Sequence, residues 1–328
     1  TPKYFTAKLP SYMYTPPPRD PKNQREMESS SCEKDGDRAD FFGVLPEGCV
    51  AETVALTCPR DACRLSLVSS TFRSAAESDA VWERFLPRDY QDVMARSAAA
   101  LPPRAFGSKK ELYLYLCDHP LVIDGGTKSF SLEKCSGKKR FMIAAKDLFI
   151  VWGDTPRYWK WTSLLESRFN EVAELVSVCW LEIQGKIDTR MLSPDTVYAA
   201  YLVFKLTAGT YGFEYQPAEV SLGIRGVKSE TRTVYLDPDG RHGRRFHIMP
   251  RRIGLFNRLR SNTTVPRENS AQYPKLRGDD WLEIELGEYV CKGGEDGELE
   301  MSVMEVRGGN WKGGLIVQGI EIRPKDGK

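Results

Sequence analysis

DACRLSLVSSTFRSAAESDAVWERFLP, residues 61–87, has the texture of short helices separated by tight breaks. Leu65 and Val68 lie one turn apart, and Phe72 recurs with Ala75 and Ala76, so each short stretch presents one apolar face. Ser69 to Thr71 offer caps for a helix through Phe72, and Pro87 ends the segment running from Val81 to Leu86. Upstream, Val50 and Val54 repeat the one-turn spacing, and Pro59 suits the first turn of another helix because it has no N–H to leave unpaired. The stretch from Leu45 to about Ala100 is therefore expected to be helical.

Downstream, Pro102-Pro103 and Gly107 lead to Ser108, a predicted N-cap for a helix over 109–118 with Leu112 and Leu116 on one face and His119-Pro120 as its stop. Beyond Gly125-Gly126 the pattern changes to short apolar or alternating runs rich in β-branched and aromatic residues, beginning near Phe141, Leu175, Val197, Val220, Thr231, Trp281, Leu299 and Leu315. Turn signals separate these runs, with no long helical period between them. This favours an antiparallel β-sandwich or jelly roll over a parallel sheet with crossover helices. The expected fold class is α + β multidomain: a disordered segment over 1–40, a helical module over 41–95, a linker with one short helix over 96–135, and a β domain over 136–328.

Residues 1–40 carry Pro16-Pro17-Pro18 and many charges, too little apolar surface to offset the chain entropy lost on ordering. Met27-Glu28-Ser29 has the look of an initiation site, with 1–26 preceding the natural start. No signal-peptide pattern opens the chain, and no apolar run approaches the ~20 residues that span a bilayer, so cytoplasm and nucleus are the expected compartments and no membrane partner is expected. At 328 residues the chain exceeds the length at which one core stops growing, and two domains follow. A net charge of +2 gives no global field for nucleic acid. The eight cysteines show no C-x-x-C pairs and the three histidines lie near none of them, so neither a metal nor a cofactor is expected.

Four segments of the helical stretch resemble the F-box: Leu45-Pro46-Glu47, then Asp61 through Ser69, then Phe72-Arg73-Ser74-Ala75-Ala76, and Val81 through Pro87. The resemblance implies a small three-helix F-box that presses an apolar face into a Skp-type adaptor, which joins it to a cullin. It places Leu45, Pro46, Val50, Val54, Leu65, Val68 and Phe72 at or beneath that contact. A unit this short exposes more apolar surface than a solitary domain hides, which agrees with a partner surface. Packing of the same residues against the β domain is the alternative.

From about Ser136 the chain resembles the phloem protein 2 lectins of plants, the group of the tobacco-leaf lectin. The match is carried by Ala144 through Leu148, Trp152-Gly153-Asp154-Thr155-Pro156-Arg157-Tyr158-Trp159-Lys160-Trp161, Val178 through Ile187, Tyr198 through Leu206, Asp279 through Glu288, Gly297 through Met301 and Gly314 through Pro324. The resemblance implies binding of an N-acetylglucosamine-containing glycan or glycoprotein, with Trp152 and Trp159 stacking on sugar rings and Glu298 and Glu305 accepting their hydroxyls. Tyr158 and Trp161 are further candidates. Aromatic faces cover the C–H side of a sugar, and carboxylates accept its hydroxyls in charge-assisted bonds.

Core packing is the other reading of these tryptophans, and Trp180 and Trp281, inside strand-like runs, are expected to follow it. The turn signal Gly153-Asp154-Thr155-Pro156 puts Trp152 and Trp159 near a loop, where ligand contact and packing both remain open. The two glutamates are an odd number of residues apart, so one unbroken strand points them to opposite faces; they share a site only if Glu298 lies in a loop or a bulge intervenes. That parity also argues against a glycosidase pair, which needs carboxyls about 5 to 10 Å apart. No nucleophile and histidine pair or P-loop replaces it, so no enzymatic activity is expected; the F-box resemblance implies an adaptor of a ubiquitin ligase instead. The arginine-rich stretch 241–260 admits a nucleic-acid patch, although a solvated loop is the commoner outcome for such a run.

Overall fold

The computed structural model describes residues 45–97, 106–214, 216–238, 272–294 and 296–325. The expectations for residues 1–40, for a start at Met27 and for the basic stretch 241–260 fall outside the described residues. All described residues belong to one compact unit, 42–328.

Five short helices occupy the first stretch: α1 (Glu47–Ala55), α2 (Pro59–Leu65), α3 (Ser70–Glu77), α4 (Asp79–Phe85) and α5 (Tyr90–Ala95). Three were expected. The extra segments arise because Ser78, extended at ψ 132°, ends α3 and at once caps α4, and because the chain turns again after Pro87. Local chemistry sets the starts: Pro59 is the first residue of α2, and the Ser69 hydroxyl accepts the Phe72 N–H at 3.3 Å. Val50, Val54, Ala62, Phe72, Ala75, Val81 and Trp82 close the interior, and the Trp82 indole donates to the Ala76 carbonyl at 2.6 Å.

A sixth helix, α6 (Lys109–Asp118), starts where the sequence predicts. Its Ser108 hydroxyl accepts the Glu111 N–H at 3.1 Å, while the Glu111 carboxylate takes the Gly107 N–H at 2.7 Å. Leu112, Tyr113 and Leu116 face inward, with Tyr113 against Trp82 at 5.1 Å between ring centres. Replacing Ser108 by alanine should cost about 1 kcal/mol of global stability, read as a lowered urea midpoint at unchanged slope.

Fourteen strands follow among the described residues: β1 (Leu121–Ile123), β2 (Lys128–Leu132), β3 (Lys139–Ala144), β4 (Phe149–Ile150), β5 (Trp159–Thr162), β6 (Val172–Leu175), β7 (Leu181–Asp188), β8 (Thr196–Tyr211), β9 (Ala218–Ile224), β10 (Thr231–Val234), β11 (Lys275–Leu276), β12 (Leu282–Cys291), β13 (Glu298–Glu305) and β14 (Gly313–Pro324). One sheet runs β1-β2-β3-β14-β8-β12-β11, with β6 also paired to β14 and β5 to β6; the other runs β10-β9-β13-β7-β4. The paired strands are antiparallel. β1 and β2 fall within the stretch expected to be a linker, because strands of three and five residues are too short for their alternation to stand out.

Alternation distributes the side chains. Tyr198, Ala200, Leu202 and Phe204 of β8 and Ile320 and Ile322 of β14 share one core with Leu181, Ile183 and Ile187 of β7 and Leu299, Met301 and Val303 of β13. Contact between the sheets is close enough that a Cβ on Gly287 would lie 2.9 Å from Leu222. The other side of the first sheet carries a smaller cluster of Met142, Ala144, Phe169, Val172, Val203 and Trp281, beside a lattice of charges. There Glu321, almost wholly buried, receives Arg277 at 2.7 Å, Arg323 at 2.8 Å, Arg140 at 3.4 Å and Arg168 at 3.5 Å. Burial alone would raise the Glu321 pKa, but the surrounding guanidiniums outweigh it and hold the group down to about 2.

The helices are clamped to the sheets. Arg96 forms a two-pronged pair with Asp124 at 2.8 and 2.7 Å, and that hydrogen-bonded guanidinium holds the Asp124 carboxyl below its usual range. Lys139 of β3 reaches Asp89 at 2.9 Å, and the Tyr113 hydroxyl donates towards the carbonyls of Glu133 and Lys134. Gly137, at φ 71°, lets the 133–138 turn press on the end of α4: a Cβ there would stand 2.7 Å from the Phe85 carbonyl.

Candidate functional site

Two surfaces carry the candidate residues. On the helical module, Leu45, Pro46 and Val68 are exposed and Leu65 is half-buried, whereas Val50, Val54 and Phe72 lie in the module's interior. Those three therefore support the surface without forming it. Sequence reasoning missed Leu67, 80% exposed in the turn between α2 and α3, and Leu56 at the end of α1, also exposed. The signal was present in the apolar doublet Leu67-Val68 directly before the Ser69 cap, a position that helical periodicity does not assign.

On the β domain, Trp152 is exposed in the turn between β4 and β5 and adopts a left-handed φ of 57°. The turn is tied by Gly153 N–H to the Ile150 carbonyl at 2.9 Å and Thr155 N–H to the Trp152 carbonyl at 2.9 Å. This presents the Trp152 ring beside Tyr158, with ring centres 5.2 Å apart. Trp159 differs. As the first residue of β5 it points into the core, is 2% exposed, and spends its indole N–H on the Val151 carbonyl at 3.2 Å, so the stacking role expected for it is corrected to packing. Trp161 is partly buried, with the Lys146 ammonium over its ring at 4.4 Å.

The glutamates do not converge. Glu298 and Glu305 are the first and last residues of β13, roughly 23 Å apart at strand rise, and the alternating burial of the strand sends them to opposite faces. Glu298 faces outward, where Arg225 at 2.9 Å and Lys186 at 3.6 Å already bind it. Glu305 is buried against Lys312, itself fully buried, which also donates to the Cys179 carbonyl at 3.1 Å. A glutamate neutralised in the core is closed to a sugar hydroxyl, so the acceptor role expected for Glu305 is corrected to structure.

A third correction opens a surface. Trp180, expected in the core, is 45% exposed, because it precedes β7 in a bend and its neighbour Leu181 takes the inward position. Trp281 is fully buried, as expected. Elsewhere, a cleft of about 230 Å³ beside the charge lattice is lined by Tyr201, Tyr273, Lys275, Glu283, Glu285 and Arg323. Its Tyr201 ring is covered by the Arg323 guanidinium at 3.9 Å, and Glu283 is taken by Arg277 and Arg323.

Comparison with known proteins matches residues 138–324 to the family described as Phloem protein 2. Among curated proteins of Arabidopsis thaliana, the chain is 45% identical over 284 residues to F-box protein At2g02240, covering 86% of this chain and 80% of that one. It is 42% identical over 312 residues to F-box protein PP2-B1, covering 88% and 91%, and 42% identical over 285 residues to F-box protein VBF, covering 86% and 99%.

Proposed function

Because the chain belongs to the plant F-box proteins that carry a phloem protein 2 domain, we propose that it is the substrate-recognition subunit of a Skp-cullin-F-box ubiquitin ligase, whose β domain selects glycosylated targets. The observation that carries the docking half is the exposure of Leu45, Leu56, Leu67 and Val68 on a helical module whose interior is already filled. Isolated exposed aliphatic side chains are ordinary, but four on so small a unit leave apolar surface that a partner would cover. The Skp-type adaptor is that partner, with a cullin beyond it, and the work is done in cytoplasm and nucleus. The chain acts by bringing a target to the ligase, with no bond chemistry of its own.

For the recognition half, exposed Trp152 beside Tyr158 supplies an aromatic surface of the kind that covers a sugar ring. The ligand class is an N-acetylglucosamine-containing glycan. The two sheets with their shared core are taken as a sandwich that displays this surface at one end. Two measurements test the whole. The Skp-type adaptor should co-purify with the intact chain, and the chain should give signal on an array of N-acetylglucosamine oligomers and N-glycan cores. Loss of the first with retention of the second leaves a lectin without ligase duty. The reverse leaves an F-box adaptor whose β domain reads protein.

A further inference from the structure

Resting on the reading of the β domain as a glycan receptor, we propose that its acceptor carboxylate is Glu182, flanked by Trp180 and Phe149 on the open face of the second sheet. The argument begins with strand parity. Leu181 and Ile183 of β7 are fully buried, so Glu182 and Gln184 project to the opposite, solvent-facing side. Phe149 of β4 is directly paired with Gln184, so it shares that face, and it is 59% exposed. The Trp180 indole reaches the same carboxylate from the strand's start.

Glu182 is held ready. One carboxylate oxygen accepts the Trp180 indole N–H at 2.9 Å and the other accepts the Gln184 amide at 2.7 Å. Both donors are neutral, and among the described residues no cation pairs with Glu182. An ionised carboxylate offers about four acceptor sites, so the two donors fix its orientation while leaving capacity for sugar hydroxyls. The remaining outward carboxylates of this sheet differ: Glu298 and Glu300 are bridged by Lys186 and Arg225, Glu219 is met by Arg307 at 2.9 Å, and Asp188 is held by Arg190 at 3.0 Å.

The surroundings select the ligand. Gln184 is followed across the sheet by Ser302 and Ser221, whose hydroxyls are 2.7 Å apart, so the row running from Phe149 is uncharged and hydrogen-bonding. Two aromatic side chains next to one carboxylate and a neutral polar row suit an uncharged pyranose, whose C–H face lies on a ring while its hydroxyls reach the carboxylate. The turn bearing Trp152 abuts the same residue, since the Val151 N–H donates to the Glu182 carbonyl at 3.1 Å. Trp152 thus forms the rim of this surface.

The test titrates the full-length chain with N,N′,N″-triacetylchitotriose, after an array of N-acetylglucosamine oligomers and N-glycan cores has been screened with the same protein. Glu182→Gln and Trp180→Ala should each weaken binding about tenfold or more, as loss of a charge-assisted bond or a stacking face requires, while Glu300→Gln, at a carboxylate already held by Lys186 and Arg225, stays within about twofold. Trp180 is exposed and Glu182 half-buried, and an unchanged melting temperature confirms the fold of each variant. Wild-type binding that both variants preserve within about twofold overturns this site and leaves the glycan reading standing. A wild-type chain that binds no glycan on the array overturns both.

Discussion

Replacing Leu67 and Val68 together by aspartate should reduce capture of the Skp-type adaptor by at least about a hundredfold, measured by titration of purified adaptor into the intact chain. Covering two such side chains contributes about 1.5 to 3 kcal/mol each, and a charge forced against an apolar partner adds an unsatisfied group. Stability should change little, because both side chains stand in solvent and surface substitutions typically fall within about 0.5 kcal/mol. The contrast is Val54→Asp, which buries a carboxylate in the module's interior, unfolds the module and tells nothing of docking. Retained binding by the Leu67→Asp, Val68→Asp chain would remove this turn from the adaptor contact.

Glu321→Gln should be the most destabilising single polar exchange, costing about 3 to 5 kcal/mol, because it leaves guanidiniums facing one another in a largely buried lattice. For a unit of this size that corresponds to a fall in melting temperature of about 10 °C. The same group sets an acid limb. Its carboxyl titrates near 2 in the folded chain, against 4.5 as its ordinary value, so the unfolded chain takes up the proton first as pH falls. Its contribution, about 3 kcal/mol from the size of that shift, is complete above pH 4.5 and disappears between pH 4.5 and 2. Urea midpoints at pH 7 and pH 3 should therefore converge in Glu321→Gln relative to the wild type; parallel acid limbs would show that the lattice does not depend on Glu321.

Local chemistry made parts of this fold legible. The cap at Ser108, the stop at His119-Pro120, the cap at Ser69 and the proline opening α2 rest on interactions within a few residues, and each stands where the sequence put it. Strand parity likewise points Glu298 and Glu305 to opposite faces of any unbroken strand, and β13 runs unbroken between them. Tryptophans were harder. Trp159 and Trp180 both sit beside turns, and which one faces the core depends on how β5 lies on β6 and on where β7 starts, contacts made by residues distant in sequence. The buried Lys312 partner of Glu305 lies beyond the next turn, on the far strand of an isolated bridge between Val178 and Lys312, and no local pattern announces it. Leu67 escaped for the opposite reason: it belongs to no helix face at all.

The clamps between Arg96 and Asp124, between Lys139 and Asp89, and at Gly137 against Phe85 make the helical module and the sheets a single lever. Under the proposed reading, cargo on the β domain travels at a fixed bearing from the ligase arm, with no tether to swing it. Which lysine comes within range of the transferring enzyme is then decided by the shape of the cargo and the position of its sugar, much as a jig decides where a drill meets the work.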